Sequence, residues 1–218
     1  MKDKNPAFRD RVLFRISERA HPRVGKKYKV WPLLDFSWAI DDHLFGITHI
    51  IRGKDLMMES EMENYIWKIF GWKAPEILHN GLIRIEGVAK ISKSKAQQEV
   101  KSGKFSGWHD PRTWSISSLK KRGFLPEIIR EFIEGMGLNQ NDIFVPVEVL
   151  YALNRKLLHD IARQAKFEKG KGNVKVIMPD GKVIKGSLDI KARKDEIVHF
   201  VGFGYTKFDG NKFYFAHK

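Results

Sequence analysis

Three lysines and two serines alternate at Lys90-Ile91-Ser92-Lys93-Ser94-Lys95, shortly after Gly87. Ammonium groups at this spacing neutralise the charge that gathers on a polyphosphate during phosphoryl or nucleotidyl transfer, and hydroxyls and backbone N–H groups add hydrogen bonds to its oxygens. The same composition also describes a solvated Lys/Ser turn. Arg52-Gly53-Lys54 follows the β-branched run Ile47-Thr48-His49-Ile50-Ile51. A guanidinium at the carboxyl end of such a strand stands where α/β sheets bind ligands, and its fork matches a carboxylate in two parallel hydrogen bonds. A surface ion pair is the alternative there. Trp108-His109-Asp110-Pro111-Arg112 and Lys120-Lys121-Arg122 interleave rings with cations. That mixture either grips a nucleic-acid backbone while stacking on a base or sugar, or forms a solvated helix face. Asp41, Asp42, His43 and His49 are of metal-ligand type. An acidic pair ahead of a strand also caps helices or orients an arginine, so no metal is assigned.

The elements that must position these groups are legible in the spacing of apolar residues. Val12 to Ile16 alternates as a strand, broken by His21-Pro22-Arg23 and Gly25, and Tyr28 to Asp35 reads as a second extended stretch around Pro32. Ile47 to Arg52 is a buried strand, and Met57 to Phe70 a helix with Met58, Met62, Tyr65, Ile66 and Ile69 as its stripe and Gly71 as its stop. Leu82 to Ile85 is a further strand, so this part is α/β. Helices are expected over Leu125 to Met136 and from Pro146 to about Lys166, the second striped by Val149, Leu150, Leu153, Leu157, Ile161 and Ala165. Lys169 to Gly172 reads as a linker. Val174–Met178 and Val183–Gly186 flank Pro179-Asp180-Gly181-Lys182 as a hairpin, and strands follow at 197–203 and 212–216. The expected organisation is α/β over 1–105, helical over 106–168 and all-β over 169–218.

The 218 residues carry 40 Lys and Arg against 26 Asp and Glu, a net charge of +14, with 42% hydrophobic residues and no Cys. This excludes a disordered tail, a disulfide scaffold, thiolate metal sites and cysteine nucleophiles. No apolar run is long enough to span a membrane, and no apolar stretch follows the N-terminal Met-Lys-Asp-Lys-Asn-Pro, so a cytoplasmic protein without membrane contact is expected. The charge is localised. Residues 1–30 hold ten basic and three acidic groups, residues 90–130 again ten and three, and residues 167–218 eleven and six. Blocks of this kind point to a polyanion, with a nucleic acid as the default partner.

In this order, Asn5-Pro6 to Ile16, His21 to Phe36, Ala39 to Lys54, Gly81 to Lys95, Gly107 to Gly123 and Asn154-Arg155-Lys156 resemble the glutamyl-tRNA synthetases of archaeal and eukaryotic type, a branch of the class I aminoacyl-tRNA synthetases. Lys90 to Ser94 is similar to the family's KMSKS loop, with Ile91 in place of Met. The resemblance implies the second half of a Rossmann-like catalytic domain, a helical stem-contact region, and a remnant of the anticodon-binding β-barrel at Val174–Gly186 and Phe213–Lys218. It implies a ligase that uses ATP, with Mg²⁺ accompanying the nucleotide, to join glutamate to tRNA(Glu). Lys93 would be the catalytic lysine that stabilises the departing pyrophosphate. Lys90, Ile91, Ser92 and Ser94 would complete the ATP-binding loop, Arg52 would hold glutamate, and Trp108, Arg112, Lys120, Lys121 and Arg122 would belong to the tRNA-contacting region.

The sequence also departs from the family pattern. His-x-Gly-His, the family's other nucleotide signature, does not occur in the 218 residues. Leu34 replaces a tyrosine of the substrate pocket, and Trp38 stands where a small residue is expected and would crowd it. Most of the anticodon-binding region is skipped. The expectation is a carboxy-terminal part of a glutamate–tRNA ligase that needs a separate amino-terminal half. The alternative is a non-catalytic tRNA-binding relative.

Overall fold

The computed structural model describes residues 4–5, 8–87 and 92–218. They form two compact units, Met1–Ile83 with Leu138–Ile143, and Arg84–Gly137 with Phe144–Lys218.

In the first unit, β1 (Phe14–Ile16) and β2 (Val30–Pro32) form an antiparallel pair, with Arg15 opposite Trp31. The extended stretch expected through Asp35 ends earlier, because α1 (Leu34–Leu44) starts at Leu34. Asp35 lies in its first turn, where a carboxylate opposes the positive end of the helix dipole, and Asp41 and Asp42 lie inside the helix. Then β3 (His49–Gly53), α2 (Met57–Phe70) and β4 (Glu76–Asn80) make a strand–helix–strand crossover. The two strands are parallel, in register from His49 opposite Glu76 to Gly53 opposite Asn80. α2 has the expected limits, and Gly71 caps it at a left-handed φ of 66°.

The buried face of α2 is rotated from the expected stripe. Met62 and Ile66 are buried as expected, but with Ser60, Glu63 and Trp67, while Tyr65 and Ile69 are exposed. Trp67 decides this orientation: its indole is the largest apolar surface available, and its Nε1–H finds the carbonyl of Ala39 at 2.8 Å. Ala39, Met62, Ile66 and Trp67 form the core, flanked by Phe36, Ile50, Trp72 and Ile77.

Two short strands at the boundary, β5 (Ile83–Glu86) and β6 (Ile143–Pro146), pair with each other. The second unit carries α3 (Lys93–Lys101), α4 (Ile116–Arg122), α5 (Pro126–Met136) and α6 (Val147–Ile161). α6 is shorter than the sequence suggests. Residues 163–165 leave the helix to form β7 (Arg163–Ala165), whose Ala165 is buried opposite Phe200. The expected linker at Lys169–Gly172 is also strand, lying within β8 (Phe167–Ile177). The register of β8 against β9 (Val183–Leu188) shifts between Lys169 and Val174. Gly172 is needed in that irregularity, since a Cβ there would stand 2.0 Å from the Gly186 carbonyl oxygen.

The turn between β8 and β9 is the expected one, with the Gly181 N–H donating to Met178 O at 2.9 Å and the Met178 N–H to Lys182 O at 2.8 Å. β10 (Ile197–Phe200), β11 (Gly204–Phe208) and β12 (Phe213–His217) complete a six-stranded sheet in the order β7-β10-β11-β12-β8-β9. Its core is Ala165, Phe167, Val176, Val198, Phe200, Phe213 and Phe215. The fold is mixed α/β. No helix among the described residues is long and apolar enough to cross a membrane.

Candidate active site

Arg52 sits near the carboxyl end of β3, and its surroundings come from three elements. From α2, the Glu63 carboxylate accepts from Nη1 at 2.7 Å and Ser60 Oγ accepts from the same nitrogen at 3.3 Å. From β4, His79 Nε2 lies 2.9 Å from Ser60 Oγ, which itself donates to Leu56 O at 3.1 Å. From α1, the Trp38 ring lies 5.1 Å from the guanidinium carbon, a cation–π distance. The crossover produces this convergence, because parallel register puts Arg52 opposite His79 while α2 lies across both strands. Next to it, Arg11 bonds Asp35 and, at 3.4 Å, Glu59.

The electrostatics are asymmetric. The Glu63 side chain is fully buried and the Arg52 side chain 9% exposed. Burial raises the Glu63 pKa above the usual carboxylate value, Arg52 opposes this, and Asp42 and Asp35 add to the rise. Glu63 Oε2 is buried without a hydrogen-bond partner among the described residues. Burial also raises Asp42, with Arg52 opposing and Asp41 adding. Both bonds from Arg52 to α2 leave through Nη1. The edge formed by Nε and Nη2 has no protein partner among the described residues, and that edge is the two-pronged donor a carboxylate requires.

Sequence reasoning found Arg52 and Trp38, and the structure brings them together. It missed Glu63, Ser60 and His79. The signal for Glu63 was a carboxylate three residues before Ile66 and four before Trp67, on what had to be the buried face. Leu34 opens α1 and is exposed. Among the described residues no cluster of His, Cys, Asp or Glu is arranged to hold a metal ion.

The other candidate residues lie in the second unit. Lys90 and Ile91 lie outside the described residues. Ser92 is the N-cap of α3, its Oγ accepting from the Lys95 N–H at 3.4 Å, so Lys93 and Ser94 belong to the first helical turn rather than to a loop. That turn contains no acidic residue. A nine-residue helix whose first turn carries lysines and no acid suits an anion such as a nucleotide phosphate.

Trp108 is partly exposed and its carbonyl accepts from Thr113 Oγ1 at 2.8 Å. Arg112 grips Asp110 through Nε and Nη2, both at 2.8 Å, and covers the Phe105 ring at 4.3 Å. The Asp110 carboxyl is buried, which alone would raise its pKa. The Arg112 guanidinium and the N–H groups of Ser106 and Arg112 outweigh that and hold it well below the usual range. Lys120 is exposed, whereas Lys121 pairs with Asp209 at 3.6 Å and lies 4.6 Å from the Tyr214 ring. Arg122 corrects the sequence reading. It is fully buried and donates to the carbonyls of Phe215 at 3.0 Å and Ala216 at 2.6 Å. A side chain enclosed in this way holds the end of β12 and does not face a polyanion.

Residues 1–160 match the family model for the catalytic domain of class I tRNA synthetases (E and Q). The chain belongs to this family. It is 42% identical over 190 residues to a glutamate–tRNA ligase of Archaeoglobus fulgidus, covering 87% of this chain and 34% of that protein. It is 45% identical over 166 residues to the glutamate–tRNA ligase of Methanococcoides burtonii, covering 75% and 29%. With the glutamate–tRNA ligase of Methanobrevibacter smithii it shares 40% identity over 210 residues, 93% of this chain and 37% of the relative. The similarity therefore runs past residue 160 into the six-stranded sheet of this synthetase-family chain. The chain spans about a third of the length of these curated relatives.

Proposed function

We propose that the chain is a carboxy-terminal part of a glutamate–tRNA ligase, and that it works with an amino-terminal half that carries His-x-Gly-His and is supplied by a separate segment. The observation that carries this reading is the open Nε/Nη2 edge of Arg52. Glu63 and Ser60 anchor Nη1 and the Trp38 ring lies 5.1 Å from the guanidinium carbon, which fixes the free edge in orientation. Glutamate's side-chain carboxylate would dock on that edge. Its α-carboxylate would attack the α-phosphorus of ATP, forming an acyl–adenylate and expelling pyrophosphate. Lys93, at the start of α3, would neutralise the charge that grows on the leaving group. Mg²⁺ would arrive with the nucleotide. The adenylate would then pass its glutamyl group to a hydroxyl of tRNA(Glu) and release AMP, with Trp108, Arg112, Lys120 and Lys121 as the tRNA-contacting side chains.

The two-stranded sheet of β3 and β4 supports a partner segment. Parallel strands are ordinarily covered on both faces, yet Ile51 is 63% exposed. The decisive experiment is glutamate-dependent ATP–pyrophosphate exchange, with this chain alone and mixed with an amino-terminal half from an archaeal relative. Exchange in the mixture, lost in Lys93→Ala by roughly a hundredfold or more, is the expected result. No exchange in any mixture overturns the reading, and leaves a non-catalytic tRNA-binding relative as the alternative.

A further inference from the structure

α3, the helix that opens on Lys93, is weakly anchored by packing, since only Ala96 on it is buried. Its orientation comes instead from the segment that follows it. The Phe105 N–H donates to Glu99 O at 3.0 Å, and Lys104 Nζ pairs with the Glu99 carboxylate at 3.0 Å. Residues 104–105 therefore fold back on the last turn of the helix. Asp110 and Arg112 grip them there. Asp110 Oδ2 accepts from the Ser106 N–H at 3.0 Å. Arg112 Nη2 donates to Lys104 O at 2.9 Å, and the guanidinium lies 4.3 Å from the Phe105 ring.

The joint is stiff. Asp110 is 4% exposed, and its carboxylate also accepts from the Arg112 N–H at 3.1 Å, from Arg112 Nε and Nη2 at 2.8 Å each, and from Ser106 Oγ at 3.3 Å. A buried carboxylate bonded to charged and backbone donors on two sides fixes both sides. The joint is also tied to the rest of the second unit. The Thr113 N–H donates to Asp110 O at 3.0 Å, and the buried Ser118, in α4, donates through Oγ to Pro111 O at 3.3 Å. The stem of Arg112 rests against the turn between β8 and β9. A Cβ on Gly181 would stand 2.9 Å from Arg112 Cδ and 3.0 Å from its Nε, so only a glycine lets the turn come this close.

We propose that Asp110 and Arg112 are positioning residues for Lys93, joining α3 to the turn between β8 and β9 so that the six-stranded sheet fixes where the Lys93 ammonium group stands. The role of Lys93 itself rests on the ligase reading. Arg112 is also assigned to tRNA contact, yet three of its side-chain bonds run inside the unit. A lysine neutralises a departing group only when its ammonium is correctly placed, and a misplacement of about 1 Å can cost about a hundredfold in rate. A helix held by one buried alanine does not secure that placement by itself. The joint at its carboxyl end does.

Two experiments with the full chain test this. The first needs no activity. Asp110→Asn removes the charge and turns one acceptor into a donor that faces donors. Hydrogen exchange should show the amides of α3 losing protection by about tenfold or more while β10 keeps its own. Gly181→Ala disturbs the same joint from the sheet. Its control is Gly202→Ala, at a comparable φ of 73° but with nothing within 4 Å of a Cβ. Gly181→Ala should loosen α3 and Gly202→Ala should not, and this pair decides if Asp110→Asn also unfolds β10. The second experiment is glutamate-dependent ATP–pyrophosphate exchange in the mixture with an amino-terminal half. Asp110→Asn should lower kcat by about tenfold to a hundredfold with the KM for glutamate unchanged. In the Lys93→Ala background it should add nothing, because it acts through that lysine. A residue that only stabilised the fold would lower both backgrounds alike. Unchanged protection of α3 in both Asp110→Asn and Gly181→Ala overturns the joint, and an equal loss of exchange with and without Lys93 overturns the positioning role. If the unaltered mixture shows no exchange, the ligase reading fails, and whether Asp110 and Arg112 fix α3 still stands or falls on the protection data.

Discussion

Arg52 and Arg122 are both buried arginines, one in each unit, and they are neutralised in opposite ways. Arg52 has a carboxylate, Glu63, at 2.7 Å and keeps one edge of its fork open. Arg122 has no carboxylate in an ion pair with it among the described residues. It is held by the carbonyls of Phe215 and Ala216 and lies 4.6 Å from the Trp114 ring and 5.1 Å from that of Phe124. A fully buried guanidinium whose Nε and Nη2 are bonded to backbone carbonyls, with Nη1 enclosed and without a hydrogen-bond partner among the described residues, is part of the scaffold. One that is anchored at a single nitrogen and free along an edge is oriented for something that arrives. The difference teaches which buried cation to read as structural, and net charge alone would not have separated them.

The largest expected effect tests the structural side. Arg122→Ala leaves two carbonyls of β12 without donors and opens a cavity between α4 and the sheet. Together these should cost about 5 kcal/mol of stability in the second unit. Urea unfolding read by hydrogen exchange, which resolves the two units, would check it. A loss below about 1 kcal/mol would mean the carbonyls find water and the scaffold role is minor.

Next is the carboxylate that distinguishes the two arginines. Glu63→Ala strands a buried cation and should destabilise the first unit by about 3 kcal/mol. Glu63→Gln retains a hydrogen-bond acceptor for Nη1 and should cost less. If Glu63→Ala is neutral in the first unit, Arg52 is not held by its partner, and the fixed orientation of its open edge is lost with it.

How much of this was legible in the sequence divides along the same line. The limits of α2, the glycine that stops it, the α/β order of β3 and α2, and the turn at Pro179–Lys182 are local, and spacing gave them. What could not be read depends on partners remote in sequence. Glu63 looks like an ordinary helix carboxylate until β3 brings Arg52 against it. Arg122 looks like the end of a basic run until β12, more than ninety residues on, supplies its acceptors. β4 offers only Ile77 and Leu78 as an apolar pair, too little for a pattern, and exists because β3 needs a neighbour. α3 buries only Ala96, so no apolar stripe marked it.

The third prediction sharpens the contrast through pH. Burial pushes His217 down to about 4, with Arg155 and Arg122 adding to the fall and the Lys218 carbonyl opposing. Asn154 lies 2.9 Å from its Nε2, and Tyr151 stacks on the ring. The unfolded chain takes a proton on this histidine near pH 6.5, while the folded chain resists it. The second unit should therefore lose stability as pH falls from about 6.5 towards 4, by about 3 kcal/mol at most. Glu63 acts with the opposite sign. Its folded pKa is raised, so the first unit should lose stability as pH rises from the ordinary glutamate value through the raised one. Hydrogen exchange at several pH values should show the two units drifting in opposite directions. His217→Gln should flatten one trend and Glu63→Gln the other. Parallel drifts would show that the two buried charges do not act separately.

The smallest effect concerns two helix ends that share a conformation but not a setting. Gly71 ends α2 at φ 66° and Gly123 ends α4 at φ 101°, both in the region that side chains rarely adopt. A Cβ at Gly71 meets nothing within 4 Å, whereas at Gly123 it stands 3.3 Å from Lys207 Cβ. Gly71→Ala should therefore cost only the backbone conformation, about 1 kcal/mol. Gly123→Ala should cost that and more, because β11 must shift to admit the methyl group. Urea midpoints for the two variants would decide it. Equal losses would mean that α4 can move away from the sheet, and in that case the carbonyls of Phe215 and Ala216 do not hold Arg122 as firmly as their distances imply.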